Sequence, residues 1–209
     1  QGFLRGFTAC GGLLRLGTEL RAAQHTGTAW QIECSSGEPV RAAVVVNAAG
    51  AWADDVATRF SVPPVGLTPR RRSAFTFKPP DGVDVASWPA VIGVDEGWYF
   101  KPDAGRLLGS PANADDTTPH DVMPEELDIA IGIDRLQTAT TLSIRRPERT
   151  WAGLRSFVSD GELVIGFDNH APGFFWLAAQ GGYGIQSAAG ASDLAATLVC
   201  GEALPSSLR

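Results

Sequence analysis

Two kinds of residue in this sequence could do chemistry: arginines among apolar neighbours, and glycines at strand-to-helix junctions. Arg155 lies in Trp151-Ala152-Gly153-Leu154-Arg155-Ser156-Phe157. A guanidinium offers a planar fork that grips a carboxylate at two points. Arg70-Arg71-Arg72 form a run just before an expected strand. For any one of these three, solvated surface charge is the commoner reading. Tyr99, in Trp98-Tyr99-Phe100, is one of only 2 tyrosines. Its hydroxyl could meet a ligand, although a bond to backbone is the more frequent outcome.

The glycines raise a different possibility. Phe174-Phe175-Trp176-Leu177-Ala178-Ala179 reads as a strand, Gly181-Gly182-Tyr183-Gly184 as a tight turn, and Ile185-Gln186 as the start of a small-residue helix. A helix N-terminus exposes unpaired N–H groups and favours negative charge. A tight βα connection with close helix packing accounts for the same pattern about as well. Val44-Val45-Val46 followed by Ala48-Ala49-Gly50 repeats the theme, and there an ordinary βα turn is the better explanation. Gly-x-Gly-x-x-Gly, Gly-x-x-x-x-Gly-Lys and Gly-x-Ser-x-Gly are all absent from the sequence.

Composition narrows the class. The 209 residues are 44% hydrophobic and 19% charged, enough to bury a core. A net charge of −6 without a basic block argues against a nucleic-acid partner. No apolar run is long enough for a membrane span. Cys10, Cys34 and Cys200 are sparse and odd in number, which predicts reduced thiols and a cytoplasmic setting. His25, His120 and His170 are isolated, so no metal site is expected.

Positioning these residues requires several elements. Residues 1–10 read as the end of a helix stopped by Gly11-Gly12. Alternation from Thr28 to Cys34 predicts a half-buried strand, with a turn at Ser35-Ser36-Gly37. Val44 to Val46 read as a strand buried on both faces. The stretch 51–60 reads as a helix with Trp52, Val56 and Phe60 on one side. Prolines 63, 64, 69, 79 and 80 mark a crossing into a sheet-rich region, whose turns fall at Asp95-Glu96-Gly97 and Asp103-Ala104-Gly105. Residues 111–124 read as an acidic loop. Pro124 then opens a helix with Leu127, Ile131 and Leu136 on its apolar face. A last helix runs to Cys200, with Gly201 ending it and Pro205 beyond.

Five stretches resemble the FAD-dependent amino-acid oxidoreductases of the D-amino-acid oxidase type, nearest the D-arginine dehydrogenase-like branch. They are VVVNAAGAWAD, RRRSAFTF, WYFKPDAGRLLGSPA, WAGLRSFVSDGELVIGFD and GFFWLAAQGGYGIQSAAGASDLAA. The resemblance implies an α+β fold: an antiparallel or mixed-sheet substrate-binding domain plus the C-terminal part of an FAD-binding, Rossmann-like domain. The expected division is a partial flavin segment (1–63), a substrate-binding sheet domain (64–150), and a return to the flavin domain with the glycine turn and helix (151–209). It also implies that the family's N-terminal FAD-binding unit is missing, so the chain is expected to be inactive alone, to retain FAD poorly and to self-associate.

The same resemblance assigns roles by position. Arg72 and Arg155 would bind the α-carboxylate of an amino acid or amine substrate, Tyr99 would hydrogen-bond beside it, and the Gly182 carbonyl would accept from the amine. Ala48, Ala49, Gly50, Gly181, Gly182, Tyr183, Gly184, Ile185 and Gln186 would lie against FAD. The FAD is expected to be non-covalent, because no cysteine lies near Gly153. The implied reaction moves hydride from the α-carbon to flavin N5 and leaves an imino acid. Alternatives are a sarcosine or glycine oxidase-like enzyme, a 2-hydroxy-acid flavoenzyme, or a non-catalytic carboxylate-binding domain.

Overall fold

A computed structural model describes residues 2–204; Pro205 lies outside the described residues. The first part holds α1 (Gly2–Ala9), β1 (Leu20–His25), β2 (Trp30–Cys34), β3 (Val40–Ala42) and β4 (Val45–Asn47). A 3-10 turn (Gly50–Trp52) leads into α2 (Ala53–Arg59). The middle holds β5 (Thr68–Phe77), β6 (Val91–Ile92), β7 (Tyr99–Asp103), β8 (Arg106–Ser110), β9 (Asp115–Asp116) and α3 (Glu126–Ala139). The last part holds β10 (Arg149–Phe157), β11 (Val164–Phe167), β12 (Phe174–Ala178) and α4 (Gly184–Val199).

Among the described residues the strands form three sheets. β1, β2 and β3 make an antiparallel meander. β11, β12 and β4 make a mixed sheet in which β4 runs parallel to β12. The large sheet has the order β10-β5-β8-β7-β6, with β9 also paired to β5. β10 spans the expected boundary at 150–151 and pairs with β5 along its whole length. β7 and β8 are closed by Ala104-Gly105, both at positive φ, the geometry of a two-residue hairpin turn.

Two of the sheets each carry a hydrophobic cluster on one face. Phe75, Phe77, Phe100 and Leu107 pack under α3, which contributes Ile129 and Leu136. A side chain on Gly132 would place its Cβ 2.9 Å from the Phe75 ring, and one on Gly109 would do the same from the other side. Phe75 is therefore seated between two glycines, which fixes how α3 lies on the sheet. The mixed sheet carries Phe174 and Trp176 against Trp30, Phe60, Ala53 and Ala57. Their rings meet edge to face, with Trp30 and Phe60 centroids 5.0 Å apart.

Several expectations are corrected. On α3, Leu127 and Ile131 are exposed, and the buried stripe is Ile129, Gly132 and Leu136. The helix is rotated because Gly132 is the only position flat enough to meet Phe75. On α2 the core is met by Ala53, Ala57 and Phe60, with Val56 partly buried against it, while Trp52 is exposed. Val46 is exposed although Phe175, opposite it on β12, is fully buried, because the cover over Phe175 stops short of β4, the edge strand of its sheet. The arginine run sits inside β5, not before it. The acidic segment is not wholly loop: Asp115 and Asp116 form β9 opposite Arg71 and Arg70. No helix among the described residues is long and apolar enough to cross a membrane.

Candidate functional site

Strand alternation sorts the arginine run. Successive side chains on β5 point to opposite faces. Arg71, Ser73 and Phe75 fall on the α3 side, and Arg70 and Arg72 fall on the other. Directly paired residues share a face, so Arg155 opposite Arg70 and Gly153 opposite Arg72 lie on that second face as well. The ladder through β8 and β7 brings Tyr99, paired with Ser110, to the same side. One open sheet face thus collects Arg72, Tyr99 and Arg155 from three strands.

The two other arginines of the run are committed to structure. Arg70 binds Asp116 at 2.8 Å and lies over the Phe157 ring. Arg71 is enclosed by Asp128 at 3.1 Å, Asp115 at 3.4 Å and Glu125. Burial opposes its charge, but Asp128 and Glu125 outweigh that and raise its basicity above the ordinary arginine value. Arg72 behaves in the opposite way. Burial and the neighbouring Arg155 push its pKa below the ordinary arginine value, and Tyr99, through its charge and a hydrogen bond, offsets only part of this. Among the described residues, no carboxylate pairs with Arg72 or Arg155.

Asn113 is a positioning residue that sequence reasoning missed. Its backbone carbonyl accepts from Arg72 Nε, and its Oδ1 accepts from the Ser73 N–H at 2.9 Å. Its Nδ2 donates to Asp128 Oδ2 at 3.0 Å and to Asp115 Oδ2 at 2.7 Å. Asp128 Oδ2 also accepts from Ser73 Oγ at 2.8 Å and Arg71 Nε at 3.1 Å. The buried Asp128 anchors this network from α3. Its place in the first helical turn is visible in the sequence and suggests only a dipole partner.

The glycine turn meets this face. Gly181 is at φ +52 and donates its N–H to the Ser156 carbonyl at 3.0 Å. A Cβ on Gly181 would stand 2.9 Å from the Phe157 ring, and one on Gly182 would stand 2.9 Å from Arg155 Nη1. Side chains of β10 are what approach this turn so closely. Gly184 begins α4, while Tyr183, Ile185 and Gln186 are exposed.

The other candidate turn is locked from below. Asn47, 2% exposed, donates to the Ala53 carbonyl at 2.8 Å and accepts from the Ala49 N–H at 3.4 Å. Asp54 accepts from the N–H groups of Val65, Gly66 and Leu67, tying α2 to the segment that enters β5. Ala48 and Gly50 are left exposed, and Gly50 is at φ +58. A cleft of about 370 Å³ joins the two turns: Gly50, Trp52, Gly153, Gln180 and Gly181 line it, with His120 at one side. Ala48, Ala49, Gly182, Tyr183, Gly184, Ile185 and Gln186 are not part of its lining.

Asp168 holds the β11–β12 hairpin. Burial opposes its ionisation, but the N–H groups of His170 and Ala171 and the Trp176 indole hold its carboxyl below the usual range.

The sequence model of the FAD dependent oxidoreductase family matches residues 1–198. The fold is similar to glycine oxidase from Geobacillus kaustophilus, with 23% identity and a TM-score of 0.79 over 94% of this chain and 52% of that one. It is similar to L-proline dehydrogenase from P. horikoshii, with 19% identity and a TM-score of 0.79 over 96% and 54%. L-alpha-glycerophosphate oxidase from Mycoplasma pneumoniae, described with FAD bound, matches at 17% identity and a TM-score of 0.74 over 88% and 50%. The chain spans about half the length of these structures. It belongs to the FAD dependent oxidoreductase family.

Proposed function

We propose that this chain supplies the carboxylate-binding face and one flank of the flavin site of an enzyme that oxidises the α-carbon of D-amino acids. One observation carries the reading: Arg72 and Arg155 share one sheet face beside Tyr99, with no carboxylate paired to either among the described residues. Two partly buried cations held together are costly, and a substrate carboxylate supplies the missing charge. Each guanidinium can then donate twice to the carboxylate, while Tyr99 steadies Arg72. Carboxylate binding fixes one end of the substrate and so aligns its α-carbon. The exposed Gly182 carbonyl is available to accept from the amine.

The cleft fits a flat aromatic ring system. Gly50 and Gly181 present bare backbone, a Cβ on Gly50 would meet nothing within 4 Å, and Trp52 walls one side. Gly50 and Gly181 would hold FAD there, and the start of α4 would favour negative charge on it. When bound, FAD supplies the two-electron acceptor for α-carbon oxidation. A second reading, oxidation of glycine or a secondary amine, is favoured by the fold shared with glycine oxidase and L-proline dehydrogenase.

The test is a titration with FAD followed by flavin fluorescence, then addition of a D-amino-acid panel, glycine and sarcosine. D-amino acids are expected to perturb the bound flavin spectrum. Arg155→Gln is expected to weaken that effect about 30-fold, equivalent to roughly 2 kcal/mol for a lost charge-assisted pair. Amino-acid binding that ignores both Arg72→Gln and Arg155→Gln would overturn the assignment. A response confined to glycine and sarcosine would select the second reading.

A further inference from the structure

A second cleft, of about 610 Å³, opens where β5 ends at Phe77 and the chain between α3 and β10 passes over it. Its floor is apolar: Phe77 is 2% and Ile144 5% exposed. Its lining also carries Lys78, Arg145, Arg146 and Ser143, with Pro79-Pro80 as a stiff wall. Among the described residues none of these three cations has an ion pair or a hydrogen-bond partner. Two carboxylates also line the cleft. Glu148 is occupied by Arg106 at 2.6 Å, and Asp81 is unpaired. The free groups therefore sum to two positive charges, in a chain whose net charge is −6. A smaller hollow of about 460 Å³ continues the cleft past Lys78 toward Arg106.

The segment bearing the arginines is pinned at both ends. The Ile144 N–H donates to Gln137 Oε1 at 2.8 Å, and the Glu148 N–H donates to the Thr76 carbonyl at 2.7 Å. Arg145 and Arg146 thus project from backbone anchored to α3 on one side and β5 on the other. Anchoring lowers the ordering cost of gripping a ligand. Lys78, one residue past the end of β5, lies six residues from Arg72, roughly 20 Å at strand spacing, so this cleft is separate from the proposed carboxylate site.

We propose that this cleft binds a polyvalent oxyanion of the phosphate class, gripped by Arg145 and Arg146 as forks and by Lys78 as a point charge. The inference stands independently of the oxidoreductase reading. The probes are inorganic phosphate, pyrophosphate and acetate, titrated calorimetrically into the chain at low ionic strength. Pyrophosphate is expected to bind at one saturable site, phosphate more weakly and acetate not measurably, with affinity falling as salt is added.

The double variant R145Q/R146Q is expected to lose affinity at least tenfold. A Lys78→Gln change is expected to lose about threefold. R155Q, which lies outside this cleft, is expected to leave pyrophosphate binding within about twofold. All three cations are exposed, and a thermal melt confirms that the variants fold. Absence of saturable pyrophosphate binding would overturn the proposal. So would binding that survives R145Q/R146Q but disappears in R155Q, because the anion would then occupy the carboxylate face.

Discussion

Replacing Asp128 tests whether the candidate site is held from beneath. Three donors converge on Asp128 Oδ2: Ser73 Oγ, Arg71 Nε and Asn113 Nδ2. Asp128→Ala removes this shared acceptor: the fully buried Ser73 hydroxyl loses it outright, while Asn113 keeps Asp115. Removing one partner of a buried pair costs about 3–5 kcal/mol. Arg71 retains Asp115 and Glu125, both half exposed, so the lower end applies, about 3 kcal/mol. For a chain of this size that lowers Tm by roughly 6–12 °C.

Asp128→Asn separates shape from charge. Its amide oxygen can stand where Oδ2 stands and accept the same bonds, so only charge assistance is lost, about 1 kcal/mol. Thermal unfolding by circular dichroism reads both variants. D128A within about 2 °C of the unsubstituted chain would refute the anchoring argument, as would D128N falling as far as D128A. The network also predicts that D128N weakens carboxylate binding several-fold, because Asn113 carries the carbonyl that orients Arg72.

Other outcomes follow from single residues. The Asp168 pKa is depressed in the fold, so its stabilisation is complete above the unfolded value near 3.8 and is lost as pH falls through the folded value; Asp168→Asn is expected to flatten the stability curve below about pH 4, measured by urea melts across pH. Gly182→Ala meets only the movable end of Arg155, so Tm is expected to hold within about 2 °C while carboxylate affinity falls about tenfold. Gly181→Ala faces both positive φ and the Phe157 ring, and is expected to cost about 1–3 kcal/mol in a denaturant titration. Tyr99→Phe removes the hydroxyl bonded to Arg72, and ligand titration is expected to show roughly a fivefold loss.

Legibility in the sequence followed the range of the interaction. Local turn chemistry was readable: Ala104-Gly105 closes its hairpin, and Gly11 ends α1 at positive φ. Arg155 and Tyr99 were singled out because each is polar within an apolar strand, and both reach the shared face. What periodicity could not supply was a partner's shape. Leu127 and Ile131 have the right spacing for a buried stripe, yet Phe75 requires a glycine opposite it, and only Gly132 provides one. Nor could composition reveal that residues 113–116 run antiparallel to the arginine run. An acidic stretch reads as solvated loop until a basic strand is placed beside it, and that pairing spans more than forty residues of sequence.

The arginine run divides its side chains between an acidic pocket and the open sheet face to which the proposed function gives substrate binding. Three consecutive cations would repel if they shared a face; the two-residue period of β5 sends Arg71 alone into the acidic pocket under α3. Arg70, on the open face, is neutralised by Asp116, one of the two residues of β9. β9 ends there, and the next position on that face, Arg72, receives a backbone carbonyl and a phenol instead of a carboxylate. Opposite it stands Gly153, which has no side chain with which to fill the space, so Arg155 leans in from two positions along. The result is two cations with no acid beside them among the described residues, the place that the proposed function gives to a substrate carboxylate. A fold selected for stability alone would place a third acid there, as it does at Asp115 and Asp116. Installing that acid is therefore a direct test: Gly153→Glu, on a backbone with open space around its Cβ, is expected to raise Tm by pairing with Arg72 and to abolish binding of amino-acid carboxylates. A variant that still binds them would show that the charge gap is not the binding site.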